Sequence, residues 1–376
     1  MTTIVDSKAN QNLDAVFFVP SLEGGIGRVV ALLAIGLKEH GYKIEVWSAS
    51  PNLGYASYIE EKLNVRYLGR GSLKSALKNL VGALRSARPN SLISASFHAN
   101  CLALIAARLA NASTQVIISD HPSIDSALQE LPFFQRSAWR LLIKFLYRQA
   151  DSHIGVSQGV AAAMARFSGI PLSEISVIPN PVISDEIFVQ SKEDLAHPFF
   201  QAGEPLILFV GRLSKEKNVL TLLSAFSQLQ VNIKSKLILV GDGPEKQSLI
   251  KLSEAYGIDD RVSFVGHRNN PYPYFLRADL VALSSTREGL PTVLIEALAF
   301  GKRVVSTDCP SGPREILCNG LFGELVEMKN AEAFAEALNR ALNNKQPNVP
   351  RSYLAKYSVQ SAVSEYAKIL GPTYVC

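Results

Sequence analysis

The sequence predicts an α/β protein of two domains, each built on a parallel sheet, and three observations carry that prediction. The chain has 376 residues, room for two domains at roughly 150 residues each. Short apolar runs alternate with amphipathic helical patterns along its length, as expected of parallel strands covered by helices on both faces. The alternation also starts twice, each time with an apolar strand followed by a glycine turn.

Taken in order, Asp14–Pro20 (DAVFFVP) reads as a buried strand, followed by the glycine loop EGGIGR and a helix to about His40. Strands follow at Lys43–Ser48, Leu92–Ser94, Gln115–Ser119 and Ser152–Val156, with helical patterns between them. The alternation breaks after Ile178–Val182 (IPNPV). Ser184–Glu204 holds no clear strand, mixes charges and carries Pro198 and Gly203, so it reads as a linker. Strands resume at Leu206–Val210, Lys236–Val240, Val262–Val265, Leu280–Leu283 and Arg303–Ser306, and about Tyr353–Leu370 reads as a final helix. The expected division is a first domain over 1–183, a linker over 184–204, a second domain over 205–352 and a carboxyl-terminal helix over 353–376, packing back on the first domain. Both domains are expected to be Rossmann-like, with their sheets facing a central cleft.

Composition excludes several classes. With 47% apolar and 19% charged residues, the chain is neither disordered nor collagen-like nor a coiled coil. Cys101, Cys309, Cys318 and Cys376 form no C-x-x-C pair and have no histidine cluster beside them, which argues against a disulfide scaffold or zinc site and for a reducing compartment. The first residues, MTTIVDSKANQNLD, lack the apolar core of a signal peptide. His98, Asn100 and Arg108 interrupt the apolar stretch Leu92–Ala110, so no membrane span is expected there. A net charge of +5 is too small for a dedicated nucleic-acid binder. Arg66–Arg148, however, holds eleven Lys or Arg against three acids, which suggests an anionic partner.

The glycine turns carry the first chemical signal. Gly24-Gly25-Ile26-Gly27-Arg28 follows the first strand, where glycines let backbone approach a ligand and the next helix offers its N–H groups to an anion. An ordinary tight turn would read the same way. The second turn, Gly211-Arg212-Leu213-Ser214-Lys215-Glu216-Lys217-Asn218, puts cations at the end of a central strand; Arg212 can fork onto phosphate oxygens and Lys217 can add a point charge. Gly241-Asp242-Gly243-Pro244 reads as punctuation between strand and helix. The most specific stretch is Thr286–Ile316, TREGLPTVLIEALAFGKRVVSTDCPSGPREI. Pro291 suits a helix start, leaving Glu288 in the preceding loop and Glu296 inside the helix. Eight helical steps would set the two carboxylates about 80° apart, on neighbouring faces.

GGIGR, the IPNPV break, GRLSKEKN, GDGP and EGLPTVLIE, in this order over nearly the whole chain, resemble the family-4 retaining glycosyltransferases of GT-B fold. TDCPSGPREI, with Asn270-Pro271-Tyr272 before it, resembles bacterial members that build surface polysaccharide or lipid-linked oligosaccharide. The resemblance implies a nucleotide-diphosphate sugar, UDP favoured and GDP possible, bound mainly by the second domain. Glu296 would hold the ribose and Glu288, with backbone at Gly289, Leu290, Pro291 and Thr292, the transferred sugar. Arg212 and Lys217 would neutralise the diphosphate, while Gly266, His267 and Arg268 would line the nucleobase pocket. Gly25 and Gly27 would close on the donor from the other domain. His121, with Asp120 tuning it, is the candidate catalytic histidine, and His98 lies at a similar strand end; packing histidines would read alike. No cofactor or metal is implied, and the sequence has no D-x-D carboxylate clamp. The acceptor would be a glycolipid or polysaccharide hydroxyl, with no nucleic-acid partner. A nucleotide-sugar epimerase or a non-catalytic adaptor are the alternatives.

Arg136, Arg140, Lys144 and Arg148 recur every four residues in FFQRSAWRLLIKFLYRQA, with Trp139, Leu142, Phe145 and Leu146 alongside. At 100° per residue all four cations fall in a stripe about 120° wide. A basic amphipathic helix with an interfacial Trp, joined by Lys74, Lys78, Arg85 and Arg88, fits an anionic membrane surface or a pyrophosphate-linked acceptor. A core-packed helix with a solvated basic side would share the pattern. The expectation is a cytoplasmic protein, peripheral on the inner face of the cytoplasmic membrane.

Overall fold

The computed structural model describes residues 13–50, 59–69, 73–122, 124–129, 132–201, 203–229 and 233–372. The start of the chain, Cys376 and the Lys74 side chain, which entered the expectations above, lie outside the described residues. The chain forms two compact units: Val160–Pro181 and the chain from Val359 join the residues up to Val156, while Ser157–Gly159 and Val182–Ser358 form the second.

The first unit holds one parallel sheet of seven strands in the order β3-β2-β1-β4-β5-β6-β7. These are β1 (Ala15–Val19), β2 (Ile44–Ser48), β3 (Asn64–Tyr67), β4 (Ser91–Ala95), β5 (Gln115–Asp120), β6 (Ser152–Gly155) and β7 (Ile175–Val177). Every residue of β1 and β4 is buried, the expected reading for central strands covered on both faces. The helices are α1 (Gly24–Glu39), α2 (Leu73–Ala87), α3 (Phe97–Ala110), α4 (Ile124–Gln129), α5 (Phe133–Leu146) and α6 (Gln158–Ser168). Two apolar clusters flank the sheet, one with Val16, Phe18, Trp47 and Leu92, the other with Ala15, Phe17, Val46 and Ile93, so alternate side chains of each strand feed opposite cores.

The second unit repeats the plan with six parallel strands, β10-β9-β8-β11-β12-β13. They run β8 (Leu206–Val210), β9 (Lys236–Val240), β10 (Val262–Gly266), β11 (Leu280–Leu283), β12 (Arg303–Thr307) and β13 (Glu324–Val326). Its helices are α7 (Asp185–Gln190), α8 (Val219–Leu229), α9 (Lys246–Ala255), α10 (Tyr272–Arg277), α11 (Thr292–Ala299), α12 (Pro313–Ile316), α13 (Ala331–Asn343) and α14 (Arg351–Leu354). The chain then returns to the first unit as α15 (Val359–Leu370). There Val363 packs into the space left by the missing side chain of Gly36 on α1, and Tyr42 donates its hydroxyl to the Gly371 carbonyl at 2.7 Å.

Three expectations change. Residues 184–204 are not a free linker: α7 lies there, Phe188 packs on Phe300 at 5.2 Å between ring centres, and Asn270 donates to the Gln190 carbonyl at 2.9 Å. The tail is broken rather than one helix, because α14 passes into a 3-10 turn at Ala355–Tyr357 before α15. Three short strands, β3, β7 and β13, escape the sequence reading; the residues of β3 are exposed or half-buried and show no apolar run.

Candidate active site at the strand ends

In the second unit the strand order reverses between β8 and β11, and open α/β sheets bind ligands in the crevice where it does so, at the carboxyl ends of the strands. The loop after β8 and the loop after β11 meet there. Lys217 closes a 3-10 turn at Lys215–Lys217, and its ammonium donates to Glu288 Oε1 at 2.6 Å. Ser285 Oγ donates to that same oxygen at 2.6 Å. Ser284 Oγ donates to the Lys217 carbonyl at 2.9 Å, and Thr307 Oγ1 to the Ser285 carbonyl at 2.5 Å. The Lys217 and Glu288 side chains retain 22% and 10% of their exposure, so the pair is sheltered yet reachable. Arg212 is exposed and has no ion-pair partner among the described residues.

Pro291 caps α11, with Gly289 and Leu290 buried ahead of it and Thr292 half-buried at the first turn. Glu288 therefore precedes the helix, and the expected 80° helical relation to Glu296 does not apply. Glu296 is 2% exposed, one turn inside α11. Gly266 ends β10; His267 and Arg268 beyond it are exposed, and His267 Nε2 lies 3.2 Å from Asn269 Oδ1. Asp242 is taken up by Lys246, at 2.9 Å, and by the Gly243 N–H. Gly241 has structural work: a Cβ there would fall 1.9 Å from the Gly211 carbonyl oxygen. A surface cavity of about 550 Å³ lies along β13, lined by Asp308, Arg314, Glu324 and Glu327, and contains none of the expected donor residues.

In the first unit the order reverses between β1 and β4. The glycine loop after β1 is shorter than expected, because α1 already begins at Gly24. Gly25 has open space around its missing side chain, whereas a Cβ on Gly27 would meet the Leu22 carbonyl oxygen at 2.3 Å. After β4, Ser96 takes φ of 100°, a conformation that costs a non-glycine residue of order 1–3 kcal/mol. His98 follows, half-buried and set edge-on to Trp139 at 5.5 Å.

His121 follows β5 and is 7% exposed. Its Nε2 lies 3.4 Å from Ser119 Oγ, and its Nδ1 is buried without a hydrogen bond. Burial pulls its pKa down to about 4, outweighing the opposing influence of the Asn180 side chain. Asp120 does not tune it as expected. Its Oδ1 accepts from Asn100 at 2.8 Å and from Tyr147 at 3.0 Å, while Oδ2 is buried without a partner. Burial pushes the Asp120 carboxyl up to about 7, outweighing those two hydrogen bonds.

The basic stripe is only partly free. Helix α5 stops at Leu146, and Arg148 beyond it donates to the Ser168 and Gly169 carbonyls. Arg136 donates to the Gln129 carbonyl at 3.0 Å, and Arg140 lies over the Phe167 ring at 5.7 Å. Trp139 is not interfacial either; it packs edge-on against Phe97 at 5.0 Å. Among its described side chains, the large apolar ones that α5 exposes are Leu141, at 71%, and Phe145, at 65%. Among the described residues no helix is long and apolar enough to cross a membrane.

The structure thus brings Lys217 and Glu288 together and joins to them Ser284, Ser285 and Thr307, which the sequence reading left out. Hydroxyl residues just before a loop glutamate were the available signal. Residues 23–186 match the family described as Glycosyltransferase Family 4, and residues 190–359 the family described as Glycosyl transferases group 1. A Campylobacter jejuni relative, N-acetylgalactosamine-N,N'-diacetylbacillosaminyl-diphospho-undecaprenol 4-alpha-N-acetylgalactosaminyltransferase, is 29% identical over 72% of this chain and 71% of its own. The amylovoran biosynthesis glycosyltransferase AmsD of Erwinia amylovora is 26% identical over 87% of this chain and 88% of its own. Among solved structures, Anabaena HepE in complex with UDP superposes with a TM-score of 0.76 at 20% identity, covering 95% of this chain and 99% of that one.

Proposed function

The chain belongs to the glycosyltransferases, with a family 4 amino-terminal half and a group 1 carboxyl-terminal half, and on that footing we propose that it is a retaining, metal-independent hexosyl- or N-acetylhexosaminyltransferase. It moves a sugar from a nucleotide-diphosphate sugar, UDP-linked in preference to GDP-linked, to a hydroxyl of a lipid-linked glycan or polysaccharide. The observation that carries this reading is the Lys217–Glu288 pair at the reversal point of the second sheet, with Arg212 exposed in the same loop after β8 and without an ion-pair partner among the described residues. Departure of a nucleoside diphosphate concentrates negative charge on its phosphates, and preorganised cations lower that barrier. Arg212 forks onto two phosphate oxygens, and Lys217, with three donors of which Glu288 takes one, supplies the rest. These cations take the role a metal has elsewhere, in keeping with a sequence without a D-x-D clamp.

Glu288 has one oxygen committed to Lys217 and Ser285, and its other oxygen receives a hydroxyl of the transferred sugar. Glu296 holds the ribose, and Gly266–Arg268 flank the base. A bound UDP in HepE and a diphospho-undecaprenol acceptor in the Campylobacter relative's name support the donor and acceptor classes. The test is transfer from a panel of UDP- and GDP-sugars to a polyprenyl-diphosphate-linked acceptor, in the presence of EDTA, with the product anomer read by NMR. The reading requires transfer with the donor's anomeric configuration kept. An inverted product, or dependence on added metal, would remove the corresponding part.

The acceptor's lipid brings in the membrane. Docking of α5 on the anionic inner face of the cytoplasmic membrane takes the enzyme to its acceptor, with exposed Leu141 and Phe145 entering the headgroup boundary and exposed Arg140 and Lys144 facing phosphates. Vesicle flotation checks this. Wild type should float with anionic vesicles, and Leu141→Ser with Phe145→Ser should abolish flotation; binding indifferent to lipid charge and to both changes would overturn it.

A further inference from the structure

Ser285 sits two residues past β11, fully buried, and its hydroxyl is committed to one acceptor, the Oε1 atom of Glu288 at 2.6 Å. Lys217 donates to the same oxygen at the same 2.6 Å. Two donors on one carboxylate oxygen fix the plane of the carboxyl group more tightly than either alone. The donors themselves are tied down: Thr307 holds the Ser285 carbonyl and Ser284 holds the Lys217 carbonyl. Two hydroxyls, from the ends of β11 and β12, therefore set the positions from which the carboxylate is gripped.

The two grips differ in what a ligand does to them. Lys217 is a mobile cation on a flexible stem, and an arriving diphosphate competes with Glu288 for its protons. If Lys217 were the sole anchor, the carboxylate would swing with it or turn freely. Ser285 has no such competitor; its hydroxyl is buried and neutral, and leaving it unpaired costs about 1–3 kcal/mol. We infer that Ser285 is a positioning residue: it holds Oε1 of Glu288 so that Oε2 stays presented to a hydroxyl of the transferred sugar while Lys217 turns toward the leaving diphosphate. The inference rests on the donor reading proposed above and goes beyond it in assigning the residue that orients Glu288.

The test compares wild type, Ser285→Ala, Ser285→Cys and Ser285→Thr, each checked for an unchanged melting temperature, by steady-state transfer kinetics and by calorimetric affinity for UDP alone. A hydrogen bond to a charged group is worth enough for kcat to fall roughly 10- to 100-fold in Ala and Cys. UDP, which lacks the transferred sugar that Glu288 orients, should bind all four proteins within about twofold. Thr retains the hydroxyl and should recover most of kcat. An Ala variant as fast as wild type would overturn the inference, as would Thr no better than Ala, or UDP affinity falling in step with kcat. Those outcomes leave the donor reading standing. A wild type inactive with every UDP- and GDP-sugar would overturn both.

Discussion

Replacing Asp120 by Asn should unmask a pH dependence of stability that the native chain conceals. Asp120 and His121 are adjacent at the end of β5 and both are buried. Burial raises the Asp120 carboxyl from an ordinary 3.8 to about 7 and lowers His121 from 6.5 to about 4. Between pH 4 and 6.5 the folded chain keeps Asp120 protonated and His121 neutral, while the unfolded chain holds the opposite states. A raised carboxyl loses stability as pH climbs, because the unfolded state releases a proton that the folded state retains. A lowered imidazole loses stability as pH falls, because the unfolded state gains a proton that the folded state refuses. Each slope is about 1.4 kcal/mol per pH unit, and over the shared window they oppose and nearly cancel. Cys101, pushed up to about 12, and Tyr147, raised well above its ordinary value, stay protonated throughout.

Asp120→Asn removes one arm. Its stability relative to wild type should climb by about 4 kcal/mol between pH 4 and 7, whatever constant offset the lost carboxylate contacts add. His121→Gln should give the mirror image, falling relative to wild type by about 3 kcal/mol between pH 4 and 6.5. Urea unfolding followed by tryptophan fluorescence suits the purpose, since both tryptophans of the chain, Trp47 and Trp139, lie in the first unit with the two groups. A difference curve for Asp120→Asn that stays flat with pH would mean that Asp120 ionises in the folded chain as it does in the unfolded one, against its burial-raised pKa.

Two further outcomes follow from local geometry and charge. Gly27→Ala should destabilise the first unit by about 1–3 kcal/mol through overpacking, since its Cβ meets the Leu22 carbonyl, whereas Gly25→Ala, with open space around it, should leave the melting temperature near wild type. Chelation should leave the transfer rate within about twofold of the untreated enzyme; a rate abolished by EDTA and restored by Mg²⁺ would show that Arg212 and Lys217 do not suffice for the diphosphate.

The fold was legible because central parallel strands are buried on both faces and so announce themselves as apolar runs. Leu206–Val210, Lys236–Val240 and Leu280–Leu283 coincide with β8, β9 and β11. Edge strands such as β3 show no such run and were missed. The segment 184–204 read as a linker because α7 has only six residues, too few for a helical period to show. At the site, charge in a glycine turn pointed to Lys217, and a glutamate before a helix-starting proline pointed to Glu288; that they share an ion pair depends on strand order, which no local pattern encodes. The basic stripe was only partly legible for a related reason. Four-residue spacing says which side chains share a face but not which are drawn onto neighbouring carbonyls, as Arg136 and Arg148 are.

On the proposed function, the second unit binds the diphosphate of a nucleotide sugar through Arg212 without metal. Thermal unfolding of wild type and Arg212→Ala, with EDTA present and UDP- or GDP-sugars added, tests it most directly. A donor at 100 times its dissociation constant stabilises the folded state by about 2.7 kcal/mol. That upward shift is expected in wild type with one nucleotide class, and its loss in Arg212→Ala. No shift with any nucleotide sugar, or an equal shift in the variant, would contradict it.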